Sequence, residues 1–219
     1  MARARRSTAM VEARRAERRQ GLGPDGHERA SLAQAAARLI AEHGLADWSY
    51  AKKKAARELG LPERGALPGD DEVEDALAEY HALYGGDEHR AMIRERREEA
   101  LVWLRRFASF DARLVGGIAA GWATVHSDIR IELATDDAKA IEFALLNGRI
   151  EYRPLPNDRD EAGEYWIDTR RGGVRLSVRS PQAMWTRPRR DRHGAAALRL
   201  DASAVEKLLA SDDDAGSAL

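Results

Sequence analysis

The chain has 219 residues, with 36 basic and 37 acidic side chains, a formal net charge of -1 and no cysteine. That length suits one or two small domains, and a hydrophobic content of 43% is enough to form a core. The balanced charge argues against a uniformly basic nucleic-acid-binding coat, and the lack of cysteine excludes disulfides, thiolate metal sites and cysteine nucleophiles. No apolar stretch approaches the ~20 residues that span a bilayer, so we expect no membrane association and a cytoplasmic location.

The N-terminal segment, residues 1–26, is interpreted as an arginine-rich arm. It carries seven Arg against Glu12, Glu17 and Asp25, and it ends in a run of Gly and Pro at 21–26 that breaks regular structure. Such an arm either docks on RNA, DNA or an acidic protein partner, or is a solvated, disordered tail. The composition leaves both alternatives open.

Residues 27–110 show the apolar periodicity of four amphipathic helices. Glycines follow the first three helical segments, and Asp70 opens the third with the negative charge that a helix N-terminus favours. The predicted helices begin at Glu28, near Asp47 or Ser49, at Asp70 and at Glu88. We therefore predict a bundle-like helical domain over residues 27–110.

Beyond the helices, apolar and polar residues alternate as they do in half-buried strands. Strands are predicted at Arg113–Val115, Asp128–Leu133, Ile150–Leu155, Tyr165–Thr169 and Val174–Val178. A helix over Asp136–Asn147 separates the second strand from the third, and a Gly-Gly pair after Arg171 marks a hairpin turn. The predicted fold class is α+β: an N-terminal helical domain followed by a small mixed α/β sheet domain at residues 111–180.

Residues 181–219 are predicted to be a basic linker, a short helix near Ala202–Ala210 and an acidic tail. Trp185 lies close to several arginines of this linker, and an aromatic ring among cations is suited to stacking a nucleic-acid base. The alternative is a tryptophan that packs back on the core. The linker and the N-terminal arm are thus the predicted contacts for RNA or DNA.

The most informative segment is Leu114–Leu133, which reads LVGGIAAGWATVHSDIRIEL. A short strand leads to Gly116 and Gly117, a turn of small residues follows, and Asp128 opens a second strand. The pattern resembles that of the nucleotidyltransferase superfamily, the fold of DNA polymerase β, in which an apolar strand, a glycine pair and an acidic strand follow one another. Bacterial chains with helices ahead of such a core also resemble this one.

The resemblance implies that Gly116 and Gly117 let the backbone approach a triphosphate, and that Asp128 is the first catalytic carboxylate. In that family, two acids at alternate strand positions hold a Mg²⁺ pair, which aligns an acceptor hydroxyl with the α-phosphate. Here Arg130 stands at the second acidic position, and an arginine does not ligate Mg²⁺. We therefore expect ordinary catalysis to be impaired or lost.

Other acids are candidates for the missing ligands. Asp168 matches the third acid of the family, with Glu151 a weaker alternative, and Glu132 shares the Asp128 face but lies roughly 6–7 Å further along the strand. The predicted catalytic residues are Asp128, Asp168 and Glu132, and the predicted ligands of Mg²⁺, the cofactor of an active enzyme, are Asp128 and Asp168. The predicted nucleotide contacts are Gly116, Gly117, Arg130 and His126, although for His126 a turn residue at the rim of the sheet is the favoured explanation.

Three functions remain open at this level. The first is a nucleotidyltransferase-like protein that binds a nucleotide or a nucleic-acid end with transfer impaired or lost. The second is an active Mg²⁺-dependent transferase that acts on RNA, protein or a small molecule, with a nucleoside triphosphate as donor. The third is a non-catalytic adaptor whose helical domain and basic arms bind a protein or RNA partner.

Two further patterns bear on these functions. Lys52–Lys54, with Arg57, lies on the second predicted helix and either binds nucleic-acid phosphates or forms a solvated face. The sequence contains neither the GxxxxGK[ST] loop of P-loop kinases nor the GxSxG motif of α/β serine hydrolases, which argues against both classes.

Overall fold

The computed structural model describes residues 24–45, 47–63, 67–156, 162–186 and 198–216. These residues form a mixed α/β protein in which helices precede a five-stranded mixed sheet, and the predicted fold class is confirmed. The chain divides into two compact units: Met1–Gly85, called the helical unit below, and Gly86–Leu219, called the sheet unit. Most of the predicted basic arm and the arginines of the linker lie outside the described residues.

The described part of the helical unit consists of α1 (Pro24–His43), α2 (Trp48–Glu58) and α3 (Asp70–Tyr84). Helix α1 begins inside the run that was expected to break regular structure, because proline fits a first helical turn, where its missing N–H has no partner to lose. Both α2 and α3 pack against α1. The buried apolar residues that join them are Leu32, Ala33, Ala36, Ala37, Leu39, Ile40, Ala51, Ala55, Ala56, Val73, Ala76 and Leu77.

The basic run Lys52–Lys54 supplies a structural ion pair in this unit. The Lys52 side chain is only 10% exposed, and its ammonium group donates to the Asp70 carboxylate. Arg29 Nε donates to Glu72 Oε2 at 2.6 Å, so a second cation also contacts the acidic first turn of α3. These contacts reduce the positive charge that the helical unit has available for a nucleic-acid backbone.

Asp47 is the N-cap of α2, since its side chain accepts a hydrogen bond from the Tyr50 N–H at 3.0 Å. Asp47→Ala is expected to lower the free energy of unfolding by about 1 kcal/mol, because the N–H loses its partner. Urea denaturation followed by circular dichroism measures this change. Ser49→Ala is the matched control, because Ser49 lies within α2 and is exposed; a larger loss for Ser49→Ala would overturn the assignment of the cap.

The sheet unit combines five strands with helices that follow or precede them. Its elements in chain order are α4 (Gly86–Arg106), a 3₁₀ turn (Ala108–Phe110), β1 (Arg113–Val115), α5 (Gly116–Ala120), β2 (Ile129–Ala134), α6 (Ala138–Asn147), β3 (Arg153–Pro154), β4 (Gly163–Thr169), β5 (Gly172–Arg179), α7 (Pro181–Thr186) and α8 (Ala202–Gly216). The strand order is β1-β2-β5-β4-β3, with β2 and β5 parallel and the other neighbours antiparallel. In the described part of the chain, no helix combines the length and the apolar character needed to cross a membrane.

The position of α4 differs from the predicted domain boundary at residue 110. This helix belongs to the sheet unit, because Ile93, Leu101 and Leu104 are buried in the same apolar cluster as the strands. Apolar periodicity shows that a helix has a buried face, but it does not show which element covers that face.

The strand predicted at Ile150–Leu155 is mostly irregular: its paired part is Arg153–Pro154, and the Leu155 N–H adds one backbone hydrogen bond to the Glu164 carbonyl of β4 at 2.8 Å. β3 is an edge strand that contains a proline, which donates no hydrogen bond to a ladder. In the segment after β5, α7 occupies residues predicted to be irregular, and α8 extends to Gly216, through the acidic residues assigned to the tail.

One face of the sheet is apolar and forms the core of the sheet unit. The buried residues of this face are Leu114, Ile129, Ile131, Leu133, Tyr165, Ile167, Val174, Leu176 and Val178. Leu104 of α4, Ile141 of α6 and Val205 of α8 pack into the same cluster. Because side chains alternate along a strand, the intervening residues project from the other face, which is polar.

Candidate functional site

The strand register arranges the polar face in rows that run across the sheet. Arg130 on β2 pairs with Arg175 on β5, and Arg175 pairs with Trp166 on β4. Trp166 in turn pairs with Arg153 on the edge strand β3. Directly paired residues of neighbouring strands share a face and lie about 5 Å apart. These four residues therefore form one row, called the Arg–Trp row below.

Arg175 is held between two carboxylates. Its Nη1 atom lies 3.2 Å from Glu164 Oε1, and its Nε atom lies 3.6 Å from Asp128 Oδ2. Nε is buried and makes no hydrogen bond to the described residues, so the attraction to Asp128 is one of charge. Asp128, the predicted first metal ligand, is therefore used in this structure to position a guanidinium group.

Arg130 is exposed and forms no hydrogen bond or ion pair with any described residue. Its aliphatic stem passes Gly116, where a Cβ atom would lie 3.5 Å from Arg130 Cδ. Gly116 also has a φ of +74°, a conformation that favours glycine. The guanidinium of Arg130 is consequently presented to solvent beside the anchored Arg175.

Trp166 is the aromatic member of the row and is oriented by its neighbours. Its Nε1 atom donates to Asp168 Oδ1 at 2.7 Å, and its ring covers Gly173, where a Cβ atom would lie 2.0 Å from Trp166 Cζ2. The Arg153 guanidinium lies over the ring, 5.4 Å from its centroid, and 3.9 Å from Asp168 Oδ1. Asp168, the predicted third acid, thus orients Trp166 and pairs with Arg153.

Glu132 lies further along β2 in an enclosed cluster. Its side chain is 7% exposed, with Oε1 at 3.5 Å from Arg179 Nε and Oε2 at 2.8 Å from Arg199 Nε. Both distances are short enough for ion pairs, but no N–H group of a described residue is aligned to donate a hydrogen bond to Oε2. The arrangement makes Glu132 the counter-charge of two arginines.

The three predicted catalytic acids therefore do not converge. Asp168 lies on β4, and β5 separates β4 from β2. The direct partner of Asp168 on β5 is Gly173, which the Trp166 ring covers. Glu132 is enclosed by its arginines, and Asp128 contacts Arg175. Among the residues that the structure describes, no group of three or more His, Asp or Glu side chains is arranged to hold a metal ion. The donor set does not fit the Mg²⁺ pair that the family resemblance implies.

Gly117 and His126 are the remaining predicted contacts. A Cβ atom on Gly117 would lie 2.7 Å from the Trp122 ring and 3.1 Å from the Ala123 backbone, so packing of the following loop requires glycine there. His126 is exposed in the loop before β2, and its backbone N–H donates to Thr124 Oγ1 at 3.3 Å. This geometry favours the turn interpretation of His126.

Arg96 on α4 is an unpredicted residue that supports the polar face. Its side chain is 6% exposed and donates to the Arg171 carbonyl at 2.7 Å and to the Ser127 carbonyl at 2.9 Å. It also pairs with Glu99 at 3.1 Å. Arg96 thereby connects the residue before Asp128 to the turn between β4 and β5.

Arg97, the next residue of α4, supports the glycine segment. It donates to the carbonyls of Ile118 and Ala119, both at 3.2 Å, which lie at the end of α5. Burial lowers the pKa of the Arg97 guanidinium, and the nearby Asp212 of α8 opposes that shift. The end of the short helix that follows Gly116 is thus fixed by a buried cation.

Sequence reasoning missed Arg175, Trp166 and Arg96. The alternation in β5 and β4 already places Arg175 and Trp166 on polar faces of their strands, but only the register shows that they are neighbours of Arg130. Arg96 lies in a charged helical run, which resembles a solvated face. Comparison with protein-family models, with curated proteins and with solved structures finds no match to this chain.

Proposed function

We propose that this chain is a nucleotidyltransferase-like protein that binds the phosphate groups of a nucleotide or of a nucleic-acid end, with two-metal transfer impaired or lost. The observation that carries the proposal is the side-by-side pairing of Arg130 and Arg175. Arg130 stands at the second acidic position that the resemblance implies, and its side chain passes Gly116, the glycine that follows β1. The proposal includes a cytoplasmic location.

The chemistry of the pair favours an anion over a cation as ligand. A guanidinium presents N–H donors in a planar fork that matches two phosphate oxygens, and it remains charged at all physiological pH values. Asp128 and Glu164 hold Arg175 in place, whereas Arg130 is free to approach a ligand from solvent. One anchored and one exposed arginine are suited to binding a phosphate from two sides.

The two alternative functions have different requirements. An active transferase requires Asp128 to leave Arg175 and to meet a second acid, and the positions of Asp168 and Glu132 do not supply one. An adaptor requires a docking surface, for which the helical unit offers a groove of about 520 Å³ between α1, α3 and the end of α2. Arginine-mediated binding of phosphate has more support from the described contacts than either of these.

Calorimetric titration of the full chain with each nucleoside triphosphate, with Mg²⁺ and with chelator, tests the proposal. Binding is expected in chelator, and Arg130→Ala is expected to weaken it roughly tenfold, because one charge-assisted contact is worth about 1.5 kcal/mol or more. Arg105→Ala is the control: Arg105 is 62% exposed on α4 and pairs with Glu206. Binding that requires Mg²⁺ and disappears in Asp128→Ala would contradict the proposal and favour the active transferase, whereas no heat with any nucleotide or with a 5′-phosphorylated oligonucleotide would refute the proposal.

A further inference from the structure

We infer that the Arg–Trp row binds a single-stranded nucleic acid, with one base stacked on Trp166 and phosphates held on either side of it by Arg175 and Arg153. The inference rests on the proposed function and names the class of ligand. A free mononucleotide would use only part of the row. Three features of the row support this ligand: the positions of its cations, the orientation of its ring, and an arginine on the ring that a base can displace.

Arginines on the two neighbouring strands flank Trp166. Arg175 on β5 and Arg153 on β3 are each one strand away from Trp166, which places their Cα atoms about 5 Å from that of Trp166. A nucleotide with a single 5′-phosphate brings negative charge to one side of its base. A second phosphodiester, on the other side, is what a continuing strand provides. Arg130 extends the row by one more strand spacing.

The ring of Trp166 is already oriented. Asp168 accepts the indole N–H, and the missing side chain of Gly173 leaves the space that the ring occupies. Trp166 is nevertheless only partly buried, so the ring is available to a ligand on the polar face. An aromatic ring that is fixed before binding loses little conformational freedom when a base stacks on it.

The guanidinium of Arg153 lies over the ring of Trp166. Its side chain is 63% exposed, and a cation–π contact at such a site is weaker than the stacking of a base on tryptophan. A base is therefore expected to replace the guanidinium on the ring. Arg153 then becomes available to the next phosphate of the same strand.

The carboxylates near the row limit its net charge. Glu164 and Asp128 contact Arg175, and Asp168 contacts Arg153, so three carboxylates balance the three arginines of the row and only Arg130 has no carboxylate partner among the described residues. For single strands, this predicts a shallow slope of log K against log salt, between roughly -0.7 for one neutralised phosphate and -2 for three. No side chain of the row is placed to distinguish one base edge from another, and weak base preference is expected.

Fluorescence anisotropy of the full chain with labelled uridine and thymidine octanucleotides tests the inference. Both octanucleotides are expected to bind more tightly than the corresponding mononucleotides. Trp166→Leu is expected to weaken octanucleotide binding about tenfold. Arg153→Ala is expected to weaken octanucleotide binding several-fold and to leave mononucleotide affinity unchanged. Arg106→Ala is the matched control, since Arg106 is exposed and lies 5.5 Å over the ring of Trp103 on α4.

Gly173→Ala is a second variant that displaces the ring without removing it, and it is expected to reproduce the loss seen in Trp166→Leu. Circular dichroism confirms that each variant is folded. Octanucleotides that bind no better than mononucleotides, or a Trp166→Leu variant with full octanucleotide affinity, would overturn the inference and leave the proposed function standing. Absence of binding to both the mononucleotides and the octanucleotides would remove the proposed function itself. Binding of the uridine octanucleotide alone would support the inference and identify the strand as RNA.

Discussion

Replacing Glu132 with alanine is expected to lower the free energy of unfolding of the sheet unit by about 3–5 kcal/mol, because two buried arginines lose their counter-charge. Arg179 and Arg199 retain 11% and 17% exposure of their side chains, and each has its Nε within 3.5 Å of a Glu132 oxygen. Urea denaturation, with hydrogen exchange at the β2 amides as the local measure, determines the change.

Two further variants show what causes the loss of stability. Glu132→Gln keeps the size of the side chain, so a comparable loss in this variant assigns the effect to charge. Glu206→Ala is the control, because Glu206 pairs with Arg105 at the surface and such pairs are worth less than about 1 kcal/mol. A fully stable Glu132→Ala variant with altered nucleotide affinity would instead place Glu132 in the binding site, as the transferase interpretation requires.

The α+β class follows from the sequence because the two kinds of periodicity occupy different parts of the chain. Segments such as Val73–Tyr84 have one apolar stripe at helical spacing, whereas β2 alternates between buried isoleucines and polar residues. The partner of each buried face is not encoded locally. For that reason, α4 was predicted with the helices that precede it, although its apolar side chains complete the core of the sheet.

The candidate site, too, depends on partners that the local sequence does not specify. Gly116, Asp128 and Arg130 could be selected from one short segment, and the structure does place Arg130 beside Gly116. The partner that changes the interpretation, Arg175, comes from a strand some 45 positions later in the chain. Its pairing with Arg130 depends on the parallel register of β2 and β5, which no local pattern specifies.

The positions of the acids also explain why a motif alone is ambiguous. An aspartate at the start of a strand is a metal ligand when other carboxylates converge on it and an anchor when arginines do. Asp128 has Arg175 as its described partner, and Asp168 has Trp166 and Arg153. The same two aspartates that suggested a cation site therefore support a face suited to anions.

Replacing Arg96 with methionine is expected to cost about 2–4 kcal/mol, because the Ser127 and Arg171 carbonyls and the Glu99 carboxylate lose their common donor. Methionine retains most of the apolar stem, so the loss is one of hydrogen bonds. The local effect should be greatest at the β4–β5 turn, where Gly172 adopts a φ of +131° against the Arg96 guanidinium. Hydrogen exchange at that turn, together with urea denaturation, measures both effects.

The matched control is Arg90→Met on the same helix, since Arg90 is 72% exposed and its ion pair with Asp87 lies at the surface. A small loss for Arg90→Met and a large one for Arg96→Met is the expected contrast. Arg96→Lys keeps the charge but lacks the planar fork that reaches two carbonyls at once. Because Arg96 fixes Ser127, the residue that precedes Asp128, nucleotide affinity should also fall in Arg96→Lys. Unchanged stability and unchanged exchange in Arg96→Met would show that Arg96 does not hold the turn and the Asp128 segment in place.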